Sequence, residues 1–120
     1  MIKLIASDLD GTLLQNEAQE LTPRAIELIR ALTQKGVHFV AASGRQYANI
    51  RRLFAPLGFD IPYIAENGSM CVYKEEILAT GLTPSKTIRH ILDALMEYRK
   101  IYHTGHCILS VKDTYYSDST

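Results

Sequence analysis

The 120-residue sequence predicts an α/β domain built on a parallel, doubly wound sheet. Short, nearly continuous apolar runs at residues 2–7, 37–42 and 61–65 have the length and composition of strands covered on both faces. Two segments with apolar residues at helical spacing separate them, so strand and helix alternate. A hydrophobic content of 47% beside 22% charged residues suits a globular domain with one modest core.

The first run, Ile2-Lys3-Leu4-Ile5-Ala6-Ser7, is expected to be the central strand, and it ends in a polar, Gly-containing loop. Thr22-Pro23 then supplies an N-cap and a first-turn proline. Ala25, Leu28, Ile29 and Leu32 form an apolar stripe until Gly36 closes the helix. Val37-His38-Phe39-Val40-Ala41-Ala42 is the second strand. Tyr47, Ile50, Phe54 and Leu57 share a helix face, with Pro56 and Gly58 at its end. Residues 61–65 make the third strand. After Glu66-Asn67-Gly68 the pattern changes, and residues 69–73 and 77–80, joined across Lys74-Glu75-Glu76, read as a hairpin on the sheet's rim. Thr83-Pro84 repeats the helix-start signal, and Ile88, Ile91, Leu92 and Leu95 run toward Tyr98. Residues 107–111 and 115–117, separated by Lys112-Asp113-Thr114, form a second hairpin.

Thirteen Lys and Arg balance thirteen Asp and Glu, so no global field would hold the chain on nucleic acid or an anionic membrane. The seven tyrosines show no stacking register beside basic residues, which also argues against a nucleic-acid partner. The N-terminal apolar run meets acidic residues too early for a signal-peptide core. No stretch reaches the roughly eighteen apolar residues of a spanning helix, so a cytoplasmic protein without a membrane partner is expected. Cys71 and Cys107 lack metal-site spacing and read as small buried thiols. His103, His106 and Cys107 lack a fourth ligand for zinc and read as solvated, His38 and His90 as structural, and Lys3, Arg51 and Arg52 as surface charges.

The chemistry-bearing segment is Asp8-Leu9-Asp10-Gly11-Thr12, at the end of the first strand. Side chains two apart in extended backbone point the same way, so Asp8 and Asp10 can face one cavity while Leu9 packs behind them. Ligands of open parallel sheets collect beyond the carboxyl ends of the strands, where this pair lies. One carboxylate can attack phosphorus to form an acyl phosphate, while a second carboxyl protonates the leaving oxygen and later activates water. Their mutual repulsion, and that of a phosphate dianion, calls for Mg²⁺ with oxygen ligands, for which Asp8 and Asp10 are the candidates. Gly11 permits positive φ or a close approach, and the Thr12 hydroxyl can tie the loop to its backbone. As a bare tetrapeptide, Asp-Leu-Asp-Gly is no more than a polar turn.

The longer string Ile5-Ala6-Ser7-Asp8-Leu9-Asp10-Gly11-Thr12-Leu13-Leu14 resembles the first motif of the haloacid dehalogenase superfamily, and its second Asp matches that family's phosphatases and mutases rather than its dehalogenases. Val40-Ala41-Ala42-Ser43-Gly44-Arg45 resembles the second motif. The resemblance implies that the Ser43 hydroxyl and the Gly44 amide bind the transferring phosphate, with Leu9 as a further phosphate-binding candidate. A hydroxyl and exposed amides at a strand-to-helix junction are physically suited to that task, and equally Ser43 could be an ordinary helix cap. Arg45 could pair with substrate or with Asp8 or Asp10, or serve structurally. Asn67-Gly68 resembles the step after the third strand in Cof-type members, which insert an α/β cap of type IIB there, and locally it is also a plain turn. The resemblance therefore implies a Rossmann-like hydrolase core with its rim hairpin over residues 1–82 and the beginning of a cap over residues 83–120.

These residues correspond to about the first half of a Cof-type hydrolase. The lysine and acidic residues of that family's later half have no counterpart here, and Lys112-Asp113 and Ser117-Asp118-Ser119-Thr120 lie inside the expected cap. Two expectations follow. The chain is an N-terminal fragment of an Mg²⁺-dependent phosphatase of small phosphorylated metabolites such as sugar phosphates, in which Asp8 attacks and Asp10 serves as acid and base. Alternatively, it is a complete, non-catalytic phosphate- or metal-binding module, or one completed by another chain. Phosphomannomutase-like and sucrose-phosphatase-like activities share the same loop and cap class.

Overall fold

The three apolar runs form strands β1 (Leu4–Asp8), β2 (His38–Ala42) and β3 (Tyr63–Ala65) in a computed structural model that describes residues 1–16, 18–111 and 114–117. Helix α1 (Pro23–Gln34) lies in the first crossover and helix α2 (Tyr47–Phe54) in the second. β1 pairs with β2 in parallel, from Leu4 opposite His38 to Asp8 opposite Ala42, and β2 pairs with β3 in parallel. β3 then pairs antiparallel with β4 (Met70–Tyr73), and β4 with β5 (Glu76–Thr80), giving the order β1-β2-β3-β4-β5. The β4–β5 connection turns on Lys74 (φ 50) and Glu75 (φ 64), two successive left-handed residues whose backbone twist matches a two-residue hairpin.

Local chemistry explains where the helices begin and stop. Thr22 is extended and its Oγ1 accepts a hydrogen bond from the Ala25 amide at 3.1 Å, with Pro23 in the first turn. Gly36, at φ 75, ends α1 as expected. α2 gives way to a 3₁₀ turn, Ala55–Leu57, because Pro56 cannot extend the helical hydrogen bonding.

Ile29 of α1 and Ile50, Leu53 and Phe54 of α2 join one core cluster with Phe39 and Ala41 of β2 and Tyr63 and Ala65 of β3. Alternate strand residues share a face, so both helices cover the same side of the sheet. Two successive crossovers running in one direction along the sheet deposit their helices on one side. Val40, which alternates with Phe39 and Ala41 and so faces the opposite side, is buried as well, so β2 is covered on both faces as its continuous apolar run predicts. Among the described residues β1 pairs with β2 alone, and Leu4, Ala6 and Asp8 are exposed. Phe54 sits between the rings of Phe39 and Tyr63, each centroid 6.1 Å away. Burial, with smaller contributions from Tyr47 and Asp60, pushes the Tyr63 hydroxyl up to about 12.

The chain divides into two units, Met1–Gly81 and Leu82–Thr120. The second contains helix α3 (Ser85–Tyr102) and an antiparallel pair of strands, β6 (Ile108–Val111) and β7 (Thr114–Ser117). Thr83 does not repeat the capping of Thr22. Pro84 occupies the N-cap position, and no side chain accepts a hydrogen bond there. α3 continues past Tyr98 and stops where His103 turns left-handed at φ 52. No residue of α3 is buried, and Ile91, Leu92 and Met96 of its apolar stripe are exposed. Lys112, Asp113, Asp118, Ser119 and Thr120 lie outside the described residues.

Candidate active site

The end of β1 alternates as its sequence requires. Leu9 is wholly buried in the core cluster, while Asp8 and Asp10 on either side of it are exposed. The loop then folds onto itself. The Leu9 carbonyl accepts from the Thr12 amide at 3.2 Å and from the Leu14 amide at 2.7 Å, the Gly11 amide donates to the Leu14 carbonyl at 2.8 Å, and Leu14 is buried. Two leucines thus anchor a turn that presents two carboxylates. Gly11 stands at φ 82, the left-handed conformation that favours glycine. Thr12 ties the loop through its backbone N–H and not, as expected, through its hydroxyl, which has no hydrogen-bond partner among the described residues. The Leu9 side chain, sealed in the core, cannot reach a phosphate. Its backbone, at the end of the β1–β2 ladder where Asp8 pairs with Ala42, is what that position can offer.

The second element comes from the end of β2. The Ser43 amide donates to the Ile64 carbonyl of the neighbouring strand at 2.9 Å, which holds this residue at the sheet's carboxyl edge. The Ser43 hydroxyl oxygen accepts from the Arg45 amide at 3.1 Å, leaving its own proton to donate elsewhere. Gly44 is exposed, and its N–H has no partner among the described residues.

Arg45 resolves the alternatives left open by the sequence. Its Nε donates to Asp10 Oδ2 at 3.0 Å and its Nη2 to Asp10 Oδ1 at 2.6 Å, a two-pronged pair spanning the ends of β2 and β1. The hydrogen bond to Asp10 is the largest cause that raises the Arg45 pKa above its ordinary value, so the guanidinium stays charged. Asn67, more than fifty residues from the first motif, reaches the same place. Its amide donates to the Ser43 carbonyl at 3.2 Å, and its side chain lies so close to Gly44 that a Cβ there would stand 2.8 Å from Asn67 Oδ1.

The structure therefore brings Asp10, Ser43, Gly44, Arg45 and Asn67 into one connected arrangement, with Asp8 beside Asp10 on the same loop. Sequence reasoning passed over Gln46, which is buried and whose Nε2 has no partner among the described residues. A glutamine just before a helix carries no pattern that would have singled it out. As metal donors, Asp8 and Asp10 offer two hard carboxylates. No group of three or more His, Cys, Asp and Glu gathers to hold an ion among the described residues. Two carboxylates fit Mg²⁺, which is commonly bound through one or two of them and keeps several waters.

Comparison with known proteins is consistent with this geometry. Residues 5–120 match a family described as haloacid dehalogenase-like hydrolase. The chain is 40% identical over 77 residues to a phosphoglycolate phosphatase of Saccharolobus solfataricus, an alignment covering 63% of this chain and 34% of that protein. Its fold superposes with a TM-score of 0.81 on a phosphatase of the same superfamily from Bacteroides thetaiotaomicron, at 23% identity, covering 100% of this chain and 42% of the other. It superposes with a TM-score of 0.74 and 25% identity on a subclass IIB sugar phosphatase, covering 96% of this chain and 43% of that one. The chain spans about a third of the length of the curated relatives it matches. No described helix is long and apolar enough to cross a membrane.

Proposed function

Because the chain belongs to the haloacid dehalogenase-like hydrolase family, we propose that it carries the nucleophile and the phosphate cradle of a phosphatase acting on small phosphorylated metabolites. The observation that carries this reading is the joining of the two motifs by the Arg45–Asp10 pair. It ties the exposed Asp8/Asp10 loop to the Ser43-Gly44 step, whose hydroxyl proton and amide N–H remain to be donated. Asp8 is the nucleophile: a carboxylate oxygen attacks phosphorus, the ester oxygen departs, and an aspartyl phosphate results. Asp10, transiently protonated, gives that proton to the departing oxygen and as the resulting carboxylate takes one back from the water that later cleaves the acyl phosphate. Ser43, Gly44 and the Leu9 amide hold the phosphate oxygens without adding charge.

Asp8 and Asp10 are the residues that would hold Mg²⁺, which when bound supplies the positive charge that lets a phosphate dianion approach two carboxylates. Gly11 and Thr12 shape the loop, and Arg45 orients Asp10. The Leu82–Thr120 unit is read as the opening α-β-β portion of a type IIB cap, supported by likeness to the subclass IIB sugar phosphatase. A sugar phosphate or another small phosphate ester is the substrate class this favours.

The test is Mg²⁺-dependent hydrolysis of p-nitrophenyl phosphate. In an intact parent enzyme carrying these residues, turnover is expected to vanish in Asp8→Asn and to fall on the order of 10²-fold or more in Asp10→Asn, while the 120 residues alone are expected to give little or none. Undiminished turnover in Asp8→Asn would overturn the nucleophile assignment.

A further inference from the structure

Glu66, Asn67 and Gly68, which follow β3, stand at φ 52, 56 and 90, three consecutive left-handed residues. For Glu66, which has a Cβ, that conformation is strained, and it persists only where surrounding bonds dictate it. The bonds are identifiable. The Glu66 amide donates to the Arg45 carbonyl at 3.0 Å and the Asn67 amide to the Ser43 carbonyl at 3.2 Å, while the Ser69 amide and hydroxyl both donate back to the Glu66 carbonyl, at 3.2 and 2.9 Å.

Those contacts have a chemical effect on the neighbouring segment, residues 43–45. An anion cradle is spoiled by carbonyl oxygens as surely as it is built by N–H and O–H groups. The left-handed turn engages two of the segment's carbonyls, those of Ser43 and Arg45. Apart from the Gly44 carbonyl, the groups left over are donors: the Ser43 hydroxyl proton, the Gly44 N–H and the Arg45 guanidinium, the last already on Asp10. The Asn67 side chain then closes on Gly44. A Cβ at residue 44 would meet its Oδ1 at 2.8 Å, Nδ2 at 3.2 Å and Cγ at 3.3 Å, so the glycine and the amide fit each other and neither position accepts a larger group unchanged.

We propose that Asn67 is a positioning residue: its side-chain amide, seated on Gly44 within the Glu66–Gly68 turn, fixes residues 43–45 so that Arg45 reaches Asp10 and the cradle's donors stay uncovered. On this account a Cβ at residue 44 would push the Asn67 amide from its seat, independently of any phosphate. The proposal rests on the phosphatase reading for its catalytic meaning, but its structural content is separable from that reading.

The experiment is ¹H–¹⁵N NMR on the full chain, following the Arg45 Nε–H resonance, with Asp10→Asn defining its position when the pair is lost and thermal midpoints monitoring the fold. Asn67→Gly removes the amide without backbone strain, and it is expected to move the resonance to the Asp10→Asn position. Gly44→Ala should do the same, and Gly44→Ala with Asn67→Gly should be no worse than Asn67→Gly alone, because the clash needs the amide. Asn67→Asp, similar in shape and tolerant of left-handed backbone, should retain the wild-type resonance. A wild-type resonance in folded Asn67→Gly, or additive effects of the Gly44 and Asn67 changes, would overturn the proposal. Titrating the wild-type chain with orthophosphate and Mg²⁺ tests the phosphatase reading separately. If the Gly44 amide does not respond, that reading fails, while the Arg45 resonance still decides the role of Asn67.

Discussion

Replacing Arg45 separates what the Arg45–Asp10 pair does for the fold from what it does for the site. The pair has good geometry, but its side chains are 27% and 56% exposed, so water and salt compete with it. Exposed pairs contribute about 0.2–1 kcal/mol, and two-pronged geometry places this one toward the upper end of that range. A double-mutant cycle of Arg45→Ala and Asp10→Asn, read by urea unfolding at low ionic strength, is therefore expected to give a coupling of about 0.5–1 kcal/mol. At about 1 M salt, where the screening length is about 3 Å, the coupling should fall well below that. Arg45→Lys should lose most of it as well, because an ammonium cannot make the paired bonds. Phosphatase activity should respond more steeply than stability, since Asp10 must be oriented to move a proton. A coupling above about 2 kcal/mol that persists in high salt would refute the reasoning, because it would mean the pair is buried. A coupling of zero at low salt would refute it too, because the pair would not be formed.

Tyr63 sets a limit on stability at high pH. An unfolded tyrosine ionises near 10 whereas Tyr63 in the fold is raised to about 12. Its stabilising contribution is therefore complete below about pH 10 and is lost as pH climbs toward 12, a fall on the order of 2 kcal/mol. Unfolding curves of Tyr63→Phe should lack that part of the alkaline loss. The two Thr-Pro steps should behave differently under calorimetry: Thr22→Ala is expected to cost about 1 kcal/mol because Oγ1 caps Ala25, and Thr83→Ala close to nothing because no side chain caps α3. Gly11→Ala has open space around a new Cβ, so its expected cost of about 1 kcal/mol comes from the left-handed backbone alone, and a neutral effect in thermal melts would show that the loop adopts another conformation.

What could be read from the sequence was what depends on neighbours in the chain. Thr22-Pro23 and Gly36 marked α1 because caps act within one turn, and the alternation of Asp8, Leu9 and Asp10 translated directly into exposed, buried and exposed. Long-range terms were not legible in that way. The apolar run of β1 marked a strand, but which strands lie beside it depends on segments far along the chain, and among the described residues it pairs with β2 alone. Thr83-Pro84 carried the same two residues as Thr22-Pro23 without the same bond, because α3 starts at Ser85 and Thr83 falls outside its cap position. The partner of Arg45 and the seat of Asn67 on Gly44 depend on the approach of segments more than twenty residues apart, for which a single sequence holds no local signal.

The charge balance at the site explains why its parts are of the kinds they are. Asp8 and Asp10 bring two negative charges and Arg45 one positive, and Arg45 is committed to Asp10 by both prongs of its guanidinium. A phosphate dianion arriving at Asp8 would thus meet an uncompensated carboxylate. At an effective dielectric constant near 20, each unit-charge repulsion at 4 Å is worth about 4 kcal/mol. Ser43 and Gly44 can hold phosphate oxygens with dipoles but cannot cancel that charge, and the Asn67 turn improves them only by engaging the carbonyls that would make the repulsion worse. On the proposed reading the cradle therefore sets where the phosphate sits, and a divalent cation shared by Asp8 and Asp10 decides whether it can come at all. Orthophosphate binding should accordingly depend on Mg²⁺ far more strongly than on Ser43→Ala.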